Sequence, residues 1–574
     1  MPHSLLPGAR ALITALLLSC LSGGVAAARD APGSHALATA HPLATAAGEA
    51  VLAAGGNAFD AAVAVTAALG VAEPHGSGLG GGGFFLLHEA ATGETVMVDA
   101  RETAPARAHR DLFLDADGEV IPGRSLDGVL AAAIPGLPAG LVHLAEQYGR
   151  LPLADSLAPA IRLAEDGVPV DPTFLQMAAF RLQALRDGAD AARIFLDDGA
   201  LPAEGALLRQ PDLADTLRHI AEQGSDGFYR GPVAQRLVDA VALRGGIWTL
   251  DDLDAYAVVE RAPVVLEHQG ARITTAAPPS SGGIAIGQIL SMLAAGEPPA
   301  SEADRVHLMV EAMRRAYRDR AAYLGDPDHV SIPVSGLLSS DYALELRSSI
   351  DPAHATPSAD LPLRSDTAPA DLRFLAREST QTSHFSILDA QGNRVAGTIT
   401  LNYPFGSGFV APGTGVLLNN EMDDFSARPG VPNAYGLIGF EANAIAPHRR
   451  PLSSMSPTFV ETRDRVAVLG TPGGSRIITM VLQGILSVLE GQDAEDVVRR
   501  PRFHHQYLPD RIEFETGALS FPVQRDLAQR GHPLRPQLRP FGNMQVVIWD
   551  RAEGVLQAAS DPRGTGAATV IDAP

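Results

Sequence analysis

At 574 residues the chain is too long for one small core, which predicts a large multilobed protein or two to four domains. Its 46% apolar and 19% charged content fits a well-packed soluble fold, and the formal charge of -22 excludes nucleic-acid phosphate and anionic lipid as main partners. All 44 cationic residues are Arg and none is Lys, which excludes Schiff-base and pyridoxal chemistry, a Ser-Lys dyad and a P-loop.

The chain opens with Arg10 and the apolar run ALITALLLSCLSGGVAAA, short for a membrane span and ending in the small residues Val25 to Ala28. This predicts an export signal over residues 1–28 and a periplasmic or secreted protein starting near Arg29. The sole cysteine, Cys20, follows Leu17-Leu18-Ser19, which loosely resembles a lipoprotein processing site. Ordinary cleavage ranks ahead of a lipid tether, because Leu18 fits that pattern poorly. Either way the mature chain has no disulfide and no catalytic thiol, and no second segment reaches a transmembrane length.

Residues 57–73, NAFDAAVAVTAALGVAE, read as a buried helix with Asn57 as N-cap and Asp60 in its first turn. After HGSGLGGGG, the apolar runs 84–88 and 95–99 form a hairpin. Residues 130–260 are mainly helical, and another helix covers 302–324. The stretch from 351 to the strands that follow, DPAHATPSADLPLRSDTAPADL at its start, cannot bury much apolar surface and predicts a mobile linker over 351–381. Strands 384–389 and 394–402 then flank the three-residue loop Ala390-Gln391-Gly392. If Asp389 closes on Asn393, Thr382 lies opposite Thr400 on one face, unless a bulge shifts the register. A short strand at 466–470, the turn Thr471-Pro472-Gly473-Gly474 and a helix at 475–490 complete the outline, and no repeats are present.

Several stretches invite chemistry. Gly78 to Gly83 matches G-x-G-x-x-G but follows a helix and precedes a strand, the reverse of a dinucleotide turn, so close backbone packing is the better reading. His504-His505 lacks any metal-ligand spacing and reads as a structural pair. Free N–H groups at the Gly473-Gly474 turn favour a phosphate or a tetrahedral oxyanion, or simply begin a helix. Thr382-Ser383-His384-Phe385 is either an ordinary strand start or a nucleophile. A Thr hydroxyl needs a base; without Lys or Cys, one solution is a freed N-terminal amine of pKa about 7.7 to 8.0, which requires the Gln381-Thr382 bond to break.

At this point the residues resemble the gamma-glutamyltranspeptidases, which are N-terminal nucleophile hydrolases. The likeness rests on Gly56-Asn57-Ala58-x-Asp60-Ala61-Ala62, SGLGGGGF, the Arg101-Glu102 pair in DARETAPA, QTSHFS, TLN at 400–402, LLNNEMDDFS, RPLSSMSPT, GTPGGSRIIT and PRFHHQ. It implies an α+β fold, a four-layer αββα sandwich. It further implies a precursor that cuts itself between Gln381 and Thr382 into a large subunit, 29–381, and a small one, 382–574, which stay together as a heterodimer. Thr382 then resembles the nucleophile, its new amine the base, and Thr400 its hydrogen-bond partner. Arg101, Ser453 and Ser454 resemble the donors to a glutamyl α-carboxylate. Asp424, with Glu421 and Asn402, resembles the receiver of the α-ammonium, and Gly473 and Gly474 resemble the oxyanion hole. The implied substrates are glutathione and related γ-glutamyl compounds with a water or amine acceptor, and the implied chemistry calls for neither metal nor organic cofactor.

A cephalosporin or glutaryl acylase of the same superfamily is the nearest alternative. Asp424 argues against it, as does the segment 429–450, which resembles the lid loop of transpeptidases with Tyr435 gating the pocket. The other alternative, a periplasmic binding protein that never matures, would show one intact band of about 57 kDa on a denaturing gel. Ser383 stands where many relatives have Thr or Ala, and Glu421 where some have Gln, the latter bearing on acceptor use.

Overall fold

Asn57 caps the helix Ala58–Ala72 as predicted. Its side chain accepts from the Phe59 and Asp60 N–H groups, and the Asp60 carboxylate accepts the Asn57 N–H at 2.9 Å, closing a capping box. The helix is apolar on all sides because it is enclosed on all sides, packing on helix Pro42–Ala53 and on the back of a sheet. The computed structural model describes residues 31–361 and 382–573. The export signal with Cys20, residues 362–381 of the linker stretch, and Gln381 therefore lie outside the described residues.

Two antiparallel sheets form the centre. The first has seven strands in the order Ala567–Asp572, Ser34–Thr39, Ser383–Leu388, Arg394–Thr400, Gly82–His88, Thr95–Ala100 and Val259–Arg261. The second has six: Val555–Ser560, Gln545–Asp550, Arg465–Gly470, Thr458–Glu461, Ala271–Thr275 and Val264–His268. Ala36, Phe84, Leu86 and Leu388 of the first meet Phe459, Val466 and Val468 of the second in one buried cluster. Phe385, Ile387, Val395 and Ile399 alternate to the other face and meet the helices Pro42–Ala53 and Ala58–Ala72. Helices Gly282–Ala294, Glu302–Tyr323 and Ile477–Leu489 cover the second sheet. The four layers are thus helix, sheet, sheet, helix, as the resemblance implies.

The hairpin at the centre follows the predicted register. Asp389 N–H donates to Asn393 O at 2.9 Å, Gly392 has φ 97°, and pairing runs from Arg394 with Leu388 to Ile399 with Ser383 without a bulge. Asp389 also accepts the Ala58 N–H at 3.0 Å, fastening the hairpin to the start of the buried helix. The glycine run is a close approach rather than a nucleotide loop: a Cβ at Gly81 would fall 2.0 Å from Thr400 O, and one at Gly80 2.0 Å from Leu417 O. The predicted helix at 475 begins two residues later, because Gly474–Arg476 forms a 3-10 turn ahead of Ile477–Leu489. Within the linker stretch, Thr356 N–H donates to Glu311 at 3.1 Å and Ser358 is buried, its N–H on Asp510 at 2.7 Å. Among the described residues no helix is long and apolar enough to cross a membrane.

Candidate active site

The hairpin register sets Thr382 beside Thr400 at the rim between the two sheets, their hydroxyl oxygens 3.1 Å apart. Thr400 Oγ1 also accepts the Asn402 N–H at 2.8 Å, and its own hydrogen can be given to Thr382, either oxygen of the pair being able to donate. Such a bond stabilises negative charge developing on Thr382 Oγ1. Thr382 has φ 130°, a costly conformation for a β-branched residue, on the order of 1–3 kcal/mol. His384 is no base for it. Its Nδ1 lies 2.8 Å from Thr398 Oγ1 and its Nε2 3.2 Å from Ser386 Oγ, and burial pushes its pKa down to about 3. Ser383 points to the opposite face, donating to Glu73 at 2.7 Å; burial pushes the Glu73 carboxyl up to about 7.

Arg101 lies fully buried just beyond the strand Thr95–Ala100. Its Nη1 donates to Glu421, its Nη2 to Asp424 at 2.7 Å, and its Nε to Pro451 O at 3.1 Å. Glu102 sits 3.8 Å from the same guanidinium. Burial pushes the Glu421 carboxyl well up and that of Glu102 to about 7. Burial also opposes the charge of Arg101, but the carboxylates, Glu421 foremost, more than offset it. Glu421 Oε2 and both carboxyl oxygens of Glu102 have no hydrogen-bond partner among the described residues. A small cavity unites Thr382, Thr400 and Asn402 with Arg101, Glu421, Asp424, Ser453 and Ser454. A threonine hydroxyl, a guanidinium with two serines, and a pair of carboxylates can together hold a small ligand carrying both a carboxylate and an ammonium group.

The family model described as Gamma-glutamyltranspeptidase matches residues 44–571. The chain belongs to this family. It is 43% identical over 530 residues to the glutathione hydrolase proenzyme of Pseudomonas sp. (strain A14), covering 90% of each chain. To the glutathione hydrolase proenzyme of Escherichia coli (strain K12) it is 42% identical over 533 residues, covering 92% of this chain and 90% of that one. Among solved structures it is similar to the cephalosporin acylase from Bacillus halodurans, with TM-score 0.81 and 29% identity over 94% of this chain and 96% of that one.

In this member of the gamma-glutamyltranspeptidase family, Tyr435 and Gly474 also line the cavity, whereas Gly473 stands just outside its wall. Gly473 and Gly474 have φ 136° and 56°, and neither N–H has an acceptor among the described residues. A Cβ at Gly474 would fall 2.5 Å from the Tyr435 ring. Tyr435 is buried, its hydroxyl donating to Asn402 O at 2.5 Å, and the neighbouring Asn433 donates to Asp424 at 3.1 Å. The segment 429–450 is thereby tied to Asn402, two residues from Thr400, and to the charged side at once. Leu437, Met455, Ser475 and Ile477 complete the wall. They went unmarked in the sequence, since an apolar or Ser residue beside a turn carries no sign of what it faces.

His504 and His505 are a structural pair, both buried, with Nδ1 of His504 at 2.8 Å from Thr479 Oγ1 and Nε2 of His505 at 3.2 Å from Asp510. One grouping was not visible as a spacing. His307 and Glu311, a helical turn apart, meet His532, with potential ligand atoms within 4.8 Å of one another. Those atoms are already engaged: the two imidazoles hydrogen-bond at 2.8 Å, and Glu311 pairs with Arg315 at 2.6 Å and Arg314 at 3.4 Å. Two adjacent guanidinium charges also oppose a cation there.

Proposed function

We propose that the protein is a γ-glutamyl hydrolase and transferase that matures by cutting its own Gln381-Thr382 bond. In maturation Thr382 Oγ adds to the Gln381 carbonyl carbon and the peptide C–N bond breaks. The hydroxyl proton passes to the departing amine, and water hydrolyses the resulting ester, leaving the Gln381 carboxylate and a free Thr382 amine and hydroxyl. The strained φ of Thr382, on the side of the bond to be cut, supports this step. An apolar, small-residue-terminated N-terminal segment supports export of the precursor to a periplasmic or secreted location.

In turnover the freed amine takes the hydroxyl proton while Thr382 Oγ attacks the γ-amide carbonyl of glutathione or a related compound. The N–H groups of Gly473 and Gly474 hold the tetrahedral anion, a contribution of about 100- to 1000-fold per donor. The amine proton then goes to the leaving amine, and a γ-glutamyl ester remains on Thr382 until water or an acceptor amine attacks it. Arg101, Ser453 and Ser454 bind the α-carboxylate; Asp424, Glu421 and Asn402 bind the α-ammonium, displacing part of the pairing that Arg101 makes with Glu421 and Asp424. The observation that carries this reading is the Thr382-Thr400 pair at 3.1 Å in the wall of a cavity holding charges of both signs.

The likeness to a cephalosporin acylase favours a second reading, amide hydrolysis without an ammonium requirement. Asp424 weighs against it, as an acceptor for an α-ammonium that a glutaryl substrate lacks. Purified enzyme should give two bands, with Thr382 at the first sequencing cycle of the smaller, while Thr382→Ala stays whole and inactive. Two bands from Thr382→Ala would refute self-cleavage by this residue. Comparable turnover of glutaryl and γ-glutamyl anilides would assign the acylase reading instead.

A further inference from the structure

Helix Glu302–Tyr323 carries four arginines near its C-terminal half, and one of them stands apart. Arg314, Arg315 and Arg318 each pair with a carboxylate. Arg320 is only 5% exposed and has no carboxylate within ion-pair distance among the described residues. Its partners are two hydroxyls: Nε donates to Ser281 Oγ at 3.0 Å, and Nη2 to Ser454 Oγ at 3.3 Å. Burial disfavours its charge, and Asp424, beyond ion-pair distance, offsets only part of that cost.

The hydroxyl directions follow from the remaining bonds. Ser281 Oγ donates to Ser453 O at 2.6 Å, and the Ser281 N–H donates to that same oxygen at 2.8 Å. Arg320 therefore braces the backbone of Ser453 through Ser281. Ser454 Oγ accepts from Arg320 and Ser453 Oγ accepts the Met455 N–H at 3.2 Å; neither serine hydroxyl donates to any group among the described residues. Each is thus used as an acceptor on its protein side and keeps its hydrogen for the cavity it lines. Arg101 is already balanced by Glu421 and Asp424, so it is not by itself the charge that an incoming carboxylate would neutralise.

We propose that Arg320 is a positioning residue for the α-carboxylate of the γ-glutamyl substrate: it orients Ser454 as a donor and supplies, through that hydroxyl, a positive charge that no carboxylate contacts directly and that the α-carboxylate helps to neutralise. This rests on the γ-glutamyl reading above and adds to it a residue that does not touch the substrate. The guanidinium polarises the Ser454 O–H toward the ligand, in the manner of cooperative hydrogen-bond chains.

The test compares wild type with Arg320→Gln and Arg320→Lys, the latter keeping a buried charge. Kinetics on a γ-glutamyl anilide are combined with inhibition constants for glutamate and for glutamate whose α-carboxylate is a primary amide. Arg320→Gln should raise KM and the glutamate inhibition constant roughly 10- to 100-fold, leaving kcat and the constant for the amide within about threefold; Arg320→Lys should fall between. An unchanged KM, or equal losses for glutamate and its amide, would overturn the proposal. So would failure of both variants to self-cleave, since Arg320 would then serve folding. A wild-type enzyme that does not turn over the γ-glutamyl anilide would instead defeat the underlying function.

Discussion

Thr400 is the residue through which Thr382 is held and polarised, and its side chain is replaceable by one of the same shape. In Thr400→Val the hydroxyl that faces Thr382 Oγ1 at 3.1 Å is lost, and the Asn402 N–H loses its acceptor. A single neutral hydrogen bond is worth about 1 kcal/mol, so kcat should fall roughly fivefold with KM little changed. Self-cleavage, timed on a denaturing gel, should slow in parallel; a variant with unimpaired kcat would show that the Thr pair is structural. This pair was legible in the sequence because strand alternation and a three-residue loop are local properties. His384 was legible only as a neighbour. That it is neutral, turned to Thr398 and packed against Gly470 depends on a second sheet closing over it.

Elements meet beside Thr382 through their ends. Helix Ala58–Ala72 ends at Glu73, whose carboxyl accepts from Ser383 at the start of the strand Ser383–Leu388. Burial raises the Glu73 pKa from 4.5 to about 7, and a carboxylate at a helix C-terminus is further disfavoured. The folded state therefore holds a proton between pH 4.5 and 7 that the unfolded state has lost, so this group's contribution is fullest below pH 4.5 and is lost as pH rises through 7. Glu73→Gln keeps an acceptor for Ser383 and cannot ionise. Its stability relative to wild type should rise by up to about 3 kcal/mol between pH 4.5 and pH 8, read as a widening gap between urea midpoints. A gap that does not change with pH would mean that Glu73 ionises freely. The helix itself was legible from Asn57 and Asp60, because a capping box is written in consecutive residues. Its contact with Ser383, 310 positions away, was not.

At the scale of the molecule, both sheets are built from segments on the two sides of residue 381. Ser383–Leu388 pairs with Ser34–Thr39, Arg394–Thr400 with Gly82–His88, Thr458–Glu461 with Ala271–Thr275, and Ala567–Asp572 with Ser34–Thr39. Pulling the pieces apart would open two sheets and expose the cluster between them. Cleaved enzyme should therefore elute from gel filtration as one species that resolves into two bands only under denaturing conditions. Separation in native buffer would contradict the composite sheets. The chain alone determined what consecutive residues can write: the capped helix, the hairpin register that opposes Thr382 to Thr400, the absence of lysine, and the ordered motifs that mark the family. Folding alone decided the electrostatics, since the pairing of Arg101 with Glu421 and the placing of Arg320 behind Ser454 arise only where distant segments converge and exclude water. In that dry interior a charge must find its partner across the fold, and no local pattern records which partner it finds.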